Sequence, residues 1–130
     1  MKIYLDFDNT VVEQLYPKIG KYNHDCFKII RKLQEAGHEI ILNTYRVQCY
    51  NGTLEAAIDF LNNEHIKPIT KITPKKHIPT PWNWEYMLRN QEIFIDDITE
   101  NIPLKPTTEI KEMMVDWNEL DKQFLEFKIY

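Results

Sequence analysis

The amino-acid sequence predicts an α/β protein: a three-layer, Rossmann-like parallel sheet with helices on both faces. Three observations predict it. Short, wholly apolar runs that read as buried strands alternate with stretches whose apolar residues recur at helical spacing. The connections between those runs are long enough to hold the crossover helices that parallel strands require. The polar residues that no core would accept fall directly after the apolar runs, at the strand ends where open parallel sheets bind ligands.

Residues 2–7 (KIYLDF) form an apolar, β-prone run ending at charged residues, and predict the first strand. Tyr22, Cys26, Ile29, Ile30 and Leu33 then recur at helical spacing, with Gly37 placed to end the helix. Residues 38–44 (HEIILNT) predict a second strand whose Ile40, Ile41 and Leu42 are buried on both faces. Leu54, Ala57, Ile58 and Leu61 mark a second helix capped by Thr53, and residues 67–72 a weaker third strand. After a proline-dense loop, Thr80-Pro81 predicts the cap and first position of a short helix through Trp84, Met87 and Leu88. Residues 92–95 (EIFI) predict the fourth strand. An irregular stretch holding Pro103 and Pro106 follows, and then a last helix. Asp116 and Glu119 open that helix as an acidic capping box, and Trp117, Leu120, Phe124 and Phe127 form its core stripe.

With 130 residues, of which 43% are apolar and 28% charged, the chain suffices for one domain spanning residues 1–130 and is not compositionally disordered. No apolar run approaches the roughly 20 residues needed to cross a bilayer. The N-terminus opens on a strand rather than on a signal peptide, and Cys26 and Cys49 make no CxxC. A cytoplasmic protein with reduced thiols and no membrane association is expected; oligomeric state is not readable. Sixteen basic against 20 acidic side chains give a net charge of −4, which argues against a general polyanion binder.

Four strand ends deliver the chemistry. The first ends in Asp6-Phe7-Asp8-Asn9-Thr10, the second in Asn43-Thr44-Tyr45-Arg46, and the fourth in Asp96-Asp97, while Lys71, Lys75 and Lys76 follow the third. Four carboxylates in one crevice repel one another, and a bound cation is the natural compensation. Oxygen ligands with no His or Cys beside them favour Mg²⁺ over Zn²⁺. The four acids also equal the whole net charge, leaving 16 acids against 16 bases elsewhere.

This order of elements resembles the four-motif pattern of the haloacid dehalogenase (HAD) superfamily of phosphotransferases. The pattern is an apolar strand with Asp-x-Asp-x-Thr, a strand ending in Thr, a Lys, and an apolar strand ending in Asp-Asp. The resemblance runs from residue 2 to residue 97 and extends loosely beyond through the flap-like residues 12–20 (VEQLYPKIG) and Asp116-Trp117. It implies a Mg²⁺-dependent phosphomonoester hydrolase. Asp6 would be the nucleophile that forms an aspartyl-phosphate, and Asp8 the general acid and then base. Mg²⁺ would sit among Asp6, Asp8 (through its carbonyl), Asp96 and Asp97. Thr44 would donate to a phosphoryl oxygen, with Arg46, Lys76, Asn43 and Tyr16 as further substrate contacts. Thr10 would brace the loop. The third-motif cation is Lys75, Lys76 or Arg89, in that order of preference.

Too few residues separate the motifs for a cap domain, so the flap is the lid, and large substrates become accessible. A phosphorylated small molecule or a nucleic-acid end is the expected substrate. Lys67, Lys71, Lys75, Lys76, His77, Trp82 and Trp84 offer a basic, aromatic strip suited to the latter. The competing reading is a non-catalytic or signalling phospho-acceptor domain of receiver type. Receivers, however, carry their Asp after the third strand, where this chain has none between Asp59 and Asp96.

Overall fold

The computed structural model describes residues 1–75, 78–108 and 112–130; Lys76, one of the expected substrate contacts, lies outside them. In chain order, β1 (Lys2–Leu5) is followed by a hairpin of β2 (Val12–Leu15) and β3 (Lys18–Tyr22). Next come α1 (Cys26–Glu35), β4 (Glu39–Leu42), a 3-10 turn at Tyr45–Gln48 and α2 (Thr53–Asn62). Then follow β5 (Lys71–Ile72), α3 (Trp84–Asn90) and β6 (Glu92–Ile95). A second hairpin, β7 (Leu104–Pro106) and β8 (Met113–Val115), precedes α4 (Trp117–Glu126). The result is a small α/β protein with four helices and a parallel sheet in the order β5-β4-β1-β6, compatible with a Rossmann-like fold.

The register of that sheet sets up the site. Ile3 pairs with Ile40 and Ile93, and Leu5 pairs with Leu42 and Ile95. Paired residues of a parallel sheet share a face, so these six form one apolar surface, and all six are buried in the main core. Against them pack Ile29, Ile30 and Leu33 of α1 and Trp117, Leu120 and Phe124 of α4. On the opposite face Tyr4 stacks on Phe94, ring centroids 4.6 Å apart. Because β4, β1 and β6 end at one level, Asn43, Asp6 and Asp96 leave the sheet side by side. Among the described residues no helix is long and apolar enough to cross a membrane.

Several local expectations are corrected. The third strand shrinks to two residues, because Pro68 has no amide hydrogen to give and the Lys67 and Ile69 amides go to Gln34 and Asn62 side chains. The helix expected from Thr80-Pro81 starts at Trp84, where the Asn83 side chain caps the Tyr86 amide at 3.0 Å. Upstream, the Trp82 amide is held instead by the Glu100 carbonyl at 2.7 Å. Thr53 is the first residue of α2 rather than its cap; Gly52, at φ 85°, holds that place, and Thr53 turns its amide and hydroxyl to Asn51. Tyr22 belongs to β3, not to the α1 stripe. The stretch with Pro103 and Pro106 is a hairpin, its strands three residues long. The Asp116 cap of α4 is as expected: its Oδ1 accepts from the Glu119 amide at 3.2 Å.

The first hairpin replaces the expected flap and runs on to Tyr22. Its strands approach so closely that a Cβ at Gly20 would lie 2.1 Å from the Glu13 carbonyl oxygen. Gly20→Ala is therefore expected to cost about 1–3 kcal/mol through backbone displacement. Urea unfolding should show a lower midpoint at unchanged slope; an unchanged midpoint would refute this packing.

Candidate functional site

The loop after β1 is fastened before it does anything else. Asn9 takes φ 58°, a left-handed conformation that Asn tolerates better than most residues. Its Oδ1 accepts from the Gln14 amide at 2.9 Å, and its Nδ2 donates to Glu112 Oε2 at 2.9 Å. The Thr10 carbonyl receives Trp117 Nε1 at 2.8 Å and Asn23 Nδ2 at 2.9 Å. Thr10 Oγ1 donates to Asp6 Oδ2 at 3.2 Å, which is the bracing role expected of it. The turn between Asp6 and Thr10 is thus held from α4, from the first hairpin and from the second.

Asp6, only 3% exposed, faces Lys75 and Asp96. Lys75 Nζ lies 3.1 Å from Asp6 Oδ1 and 3.3 Å from Asp96 Oδ2, the second contact being an ion pair without an aligned hydrogen bond. Asp96 is oriented by the Ile98 amide, which donates to its Oδ1 at 3.1 Å. Carboxylate oxygens of Asp6, Asp96 and Asp97 all fall within 4.8 Å of one another. Burial pushes the Asp6 carboxyl well above the usual range; Asp96 and Asp97 add to this, and Lys75 opposes it. Asp97 is pushed up to about 6, again mainly by burial. Burial alone would lower the Lys75 ammonium, but Asp6 and Asp96 together outweigh it and leave it raised.

Of the four acids expected around a metal, three converge, and the Asp8 carboxylate goes elsewhere. Arg46 Nε and Nη2 hold its two oxygens at 3.0 and 2.8 Å, a bidentate pair. Nη2 also donates to the Lys18 carbonyl at 2.9 Å, and Nη1 to the Thr53 carbonyl at 3.2 Å. Its guanidinium carbon lies 4.9 Å from the Phe7 ring centroid and 5.3 Å from that of Tyr16. At 0% exposure, Arg46 sits behind Asp8 instead of facing a substrate. One buried cation thereby links the β1 loop, the first hairpin and the start of α2.

A cavity of about 720 Å³ opens above this floor. Asp6, Asp8, Thr44, Lys75 and Asp97 line it, as does Tyr16, whose hydroxyl accepts from Asn51 Nδ2 at 2.9 Å. Thr44 Oγ1 accepts from the Arg46 amide at 3.2 Å, which leaves its hydroxyl hydrogen to offer. Asn43 is buried beside Asp6 and does not line the cavity. Arg89 pairs with Glu85 at 2.8 Å on the exposed side of α3, so of the two described cations weighed for the third motif Lys75 is the one at Asp6. No motif or periodicity pointed to Glu112 and Met113, which β8 and the residue before it bring to the rim. Tyr45 and Ile98, also on the rim, directly follow Thr44 and Asp97 and were findable from that adjacency.

The charges count simply. Asp6, Asp8, Asp96 and Asp97 carry four negative charges when ionised, and Arg46 and Lys75 return two. The remainder, −2, is what one divalent cation neutralises. Three buried or half-buried carboxylates with no nitrogen or sulfur donor among them suit a hard, oxygen-seeking ion such as Mg²⁺. Compared with family models, curated proteins and solved structures, the chain matches none.

Proposed function

We propose that this chain is a Mg²⁺-dependent phosphomonoester hydrolase of HAD-like type, working through an aspartyl-phosphate on a three-layer core without a cap domain. The observation that carries this is the placement of Asp6. It is a buried carboxylate at the end of the central strand, level with Asp96, bridged to it by Lys75, and two residues from a second acid in the same cavity.

The roles follow from that placement. An oxygen of Asp6 attacks phosphorus, and the bond from phosphorus to the leaving oxygen breaks. Asp8, aimed by Arg46 and entering this step in its protonated form, gives that proton to the leaving oxygen and is left as the carboxylate. In the second half Asp8 removes a proton from water as the water attacks the phosphorus, and phosphate and Asp6 are released. Thr44 donates to a phosphoryl oxygen, and Lys75 offsets charge on Asp6 and on the phosphoryl group. Asp6, Asp96 and Asp97 would hold a Mg²⁺ ion, which would supply further neutralisation of charge on the transferring group.

Phosphate release should be measured from an aryl phosphate, a nucleotide and a phosphorylated oligonucleotide, with Mg²⁺ and with EDTA. Turnover is expected with Mg²⁺ alone, falling by at least about 10³-fold in Asp6→Asn. No release from any substrate, with Asp6→Asn indistinguishable from wild type, would sink the reading. A phosphorylated protein that accumulates without releasing phosphate would instead favour a phospho-acceptor domain.

A further inference from the structure

We propose that the site takes a phosphomonoester bearing a single phosphate and a flat, uncharged, ring-containing leaving group, a nucleoside monophosphate being the representative, rather than the end of a nucleic acid. This rests on the phosphatase reading and narrows its substrate class.

Four large apolar side chains stand around the polar floor. Tyr45, Ile98 and Met113 are 57%, 55% and 47% exposed, and Tyr16 completes the collar from the first hairpin. Apolar groups left open beside charged ones are the usual lining of a small-molecule site, where the polar floor fixes one end of the ligand and the collar covers the other. A cavity of about 720 Å³ holds a nucleotide with room for water. Glu112 is bonded to Asn9 through Oε2, so its Oε1 can accept from a sugar hydroxyl or a ring amine.

The charges of the described residues around the cavity disfavour a longer polyanion. Among the described residues that line the cavity, Lys75 is the one cation, against Asp6, Asp8, Asp97 and Glu112. Lys75 is already engaged by Asp6 and Asp96, and Arg46 is enclosed behind Asp8. A second phosphate would enter with no described cation at the rim to meet it.

The basic, aromatic strip expected from the sequence also comes apart. Trp82 and Trp84 both donate their indole N–H to Gln123 Oε1 at 2.8 Å. Trp84 further stacks on Phe127 with centroids 4.4 Å apart, so neither ring is spare for a base. Lys71 pairs with Glu39 at 2.6 Å, away from the cavity. Of that expected track, Trp82 and Trp84 belong to the packing of α4 and Lys71 to the far edge of the sheet, while Lys76 and His77 lie outside the described residues.

The test compares kcat/KM of the Mg²⁺-loaded protein on a nucleoside 5′-monophosphate, glycerol 2-phosphate and a 5′-phosphorylated oligonucleotide. Wild type and an Ile98→Ala/Met113→Ala variant are run at one ionic strength. The nucleotide should lead glycerol phosphate by at least about tenfold, and the oligonucleotide by more. In the double variant the lead over glycerol phosphate should shrink toward parity. Equal rates on all three, or a preference for the oligonucleotide, would overturn the proposal but leave the phosphatase standing. If no substrate is turned over, titration calorimetry with Mg²⁺ decides. Nucleoside monophosphate bound more tightly than inorganic phosphate, with the margin lost in the double variant, supports the collar; no margin refutes it.

Discussion

Arg46→Met is expected to destabilise the protein by about 3–5 kcal/mol, the usual cost of removing one partner from a buried ion pair. The reason lies in what Arg46 holds together. Its guanidinium satisfies both oxygens of Asp8 and the carbonyls of Lys18 and Thr53, and fills the space between the Phe7 and Tyr16 rings. Without it a carboxylate and two carbonyls lose their donors at once. Arg46→Lys keeps one charge but cannot fork, so it should fold better and still leave one Asp8 oxygen unheld. That makes Arg46→Lys the informative variant for catalysis. If Asp8 protonates the leaving oxygen, misaiming it hurts substrates with poor leaving groups most. Phosphate release from an alkyl phosphate should fall about 10²–10⁴-fold in Arg46→Lys. Release from 4-nitrophenyl phosphate, whose leaving group departs without a proton, should fall far less. Equal losses on both substrates would show that Arg46 matters only to the fold.

The same residue shows where sequence reasoning succeeds and where it stops. Asp6 and Asp96 were legible because apolar runs end where strands end, and parallel register then brings the following residues level. The Asp116 cap was legible because its partner amide is three residues away. Arg46 was recognisable as important, but its partner was not. A guanidinium two residues beyond Thr44 suits a phosphate as well as a carboxylate, and the choice depends on a contact across 38 positions with Asp8. Trp82 and Trp84 misled for a related reason: only the fold shows that Gln123 takes both indoles. The second hairpin was invisible because strands of three residues, one of them ending in Pro106, are too short to show alternation. Glu112 and the clamp of Thr108 on Glu13, with Oγ1–Oε1 at 2.8 Å, were hidden with it.

The site also fixes how stability should respond to pH and to metal, in a direction opposite to most carboxylates. In the folded protein the carboxyls of Asp6 and Asp97 titrate above the ordinary 3.8 of an aspartate, Asp97 at about 6. The metal-free folded protein therefore binds protons more tightly than the unfolded chain. The stability these groups contribute is full below pH 3.8 and is lost as pH rises, through about 6 for Asp97 and through the raised value of Asp6. Melting in EDTA should show this site working against the fold at pH 8 and not at pH 4. Asp6→Asn, which removes one repelling charge at nearly constant shape, should then melt above wild type at pH 8 in EDTA while lacking turnover. Mg²⁺ competes with the protons, so its stabilisation should grow from pH 5 to pH 8. At a hundredfold excess over its dissociation constant it should reach about 2.7 kcal/mol. In Asp6→Asn, which has lost one of the three converging carboxylates, the Mg²⁺ shift should be much smaller. A Mg²⁺ shift equal at pH 5 and pH 8, or an Asp6→Asn protein that melts below wild type in EDTA, would mean that the three carboxylates do not repel one another as their burial requires.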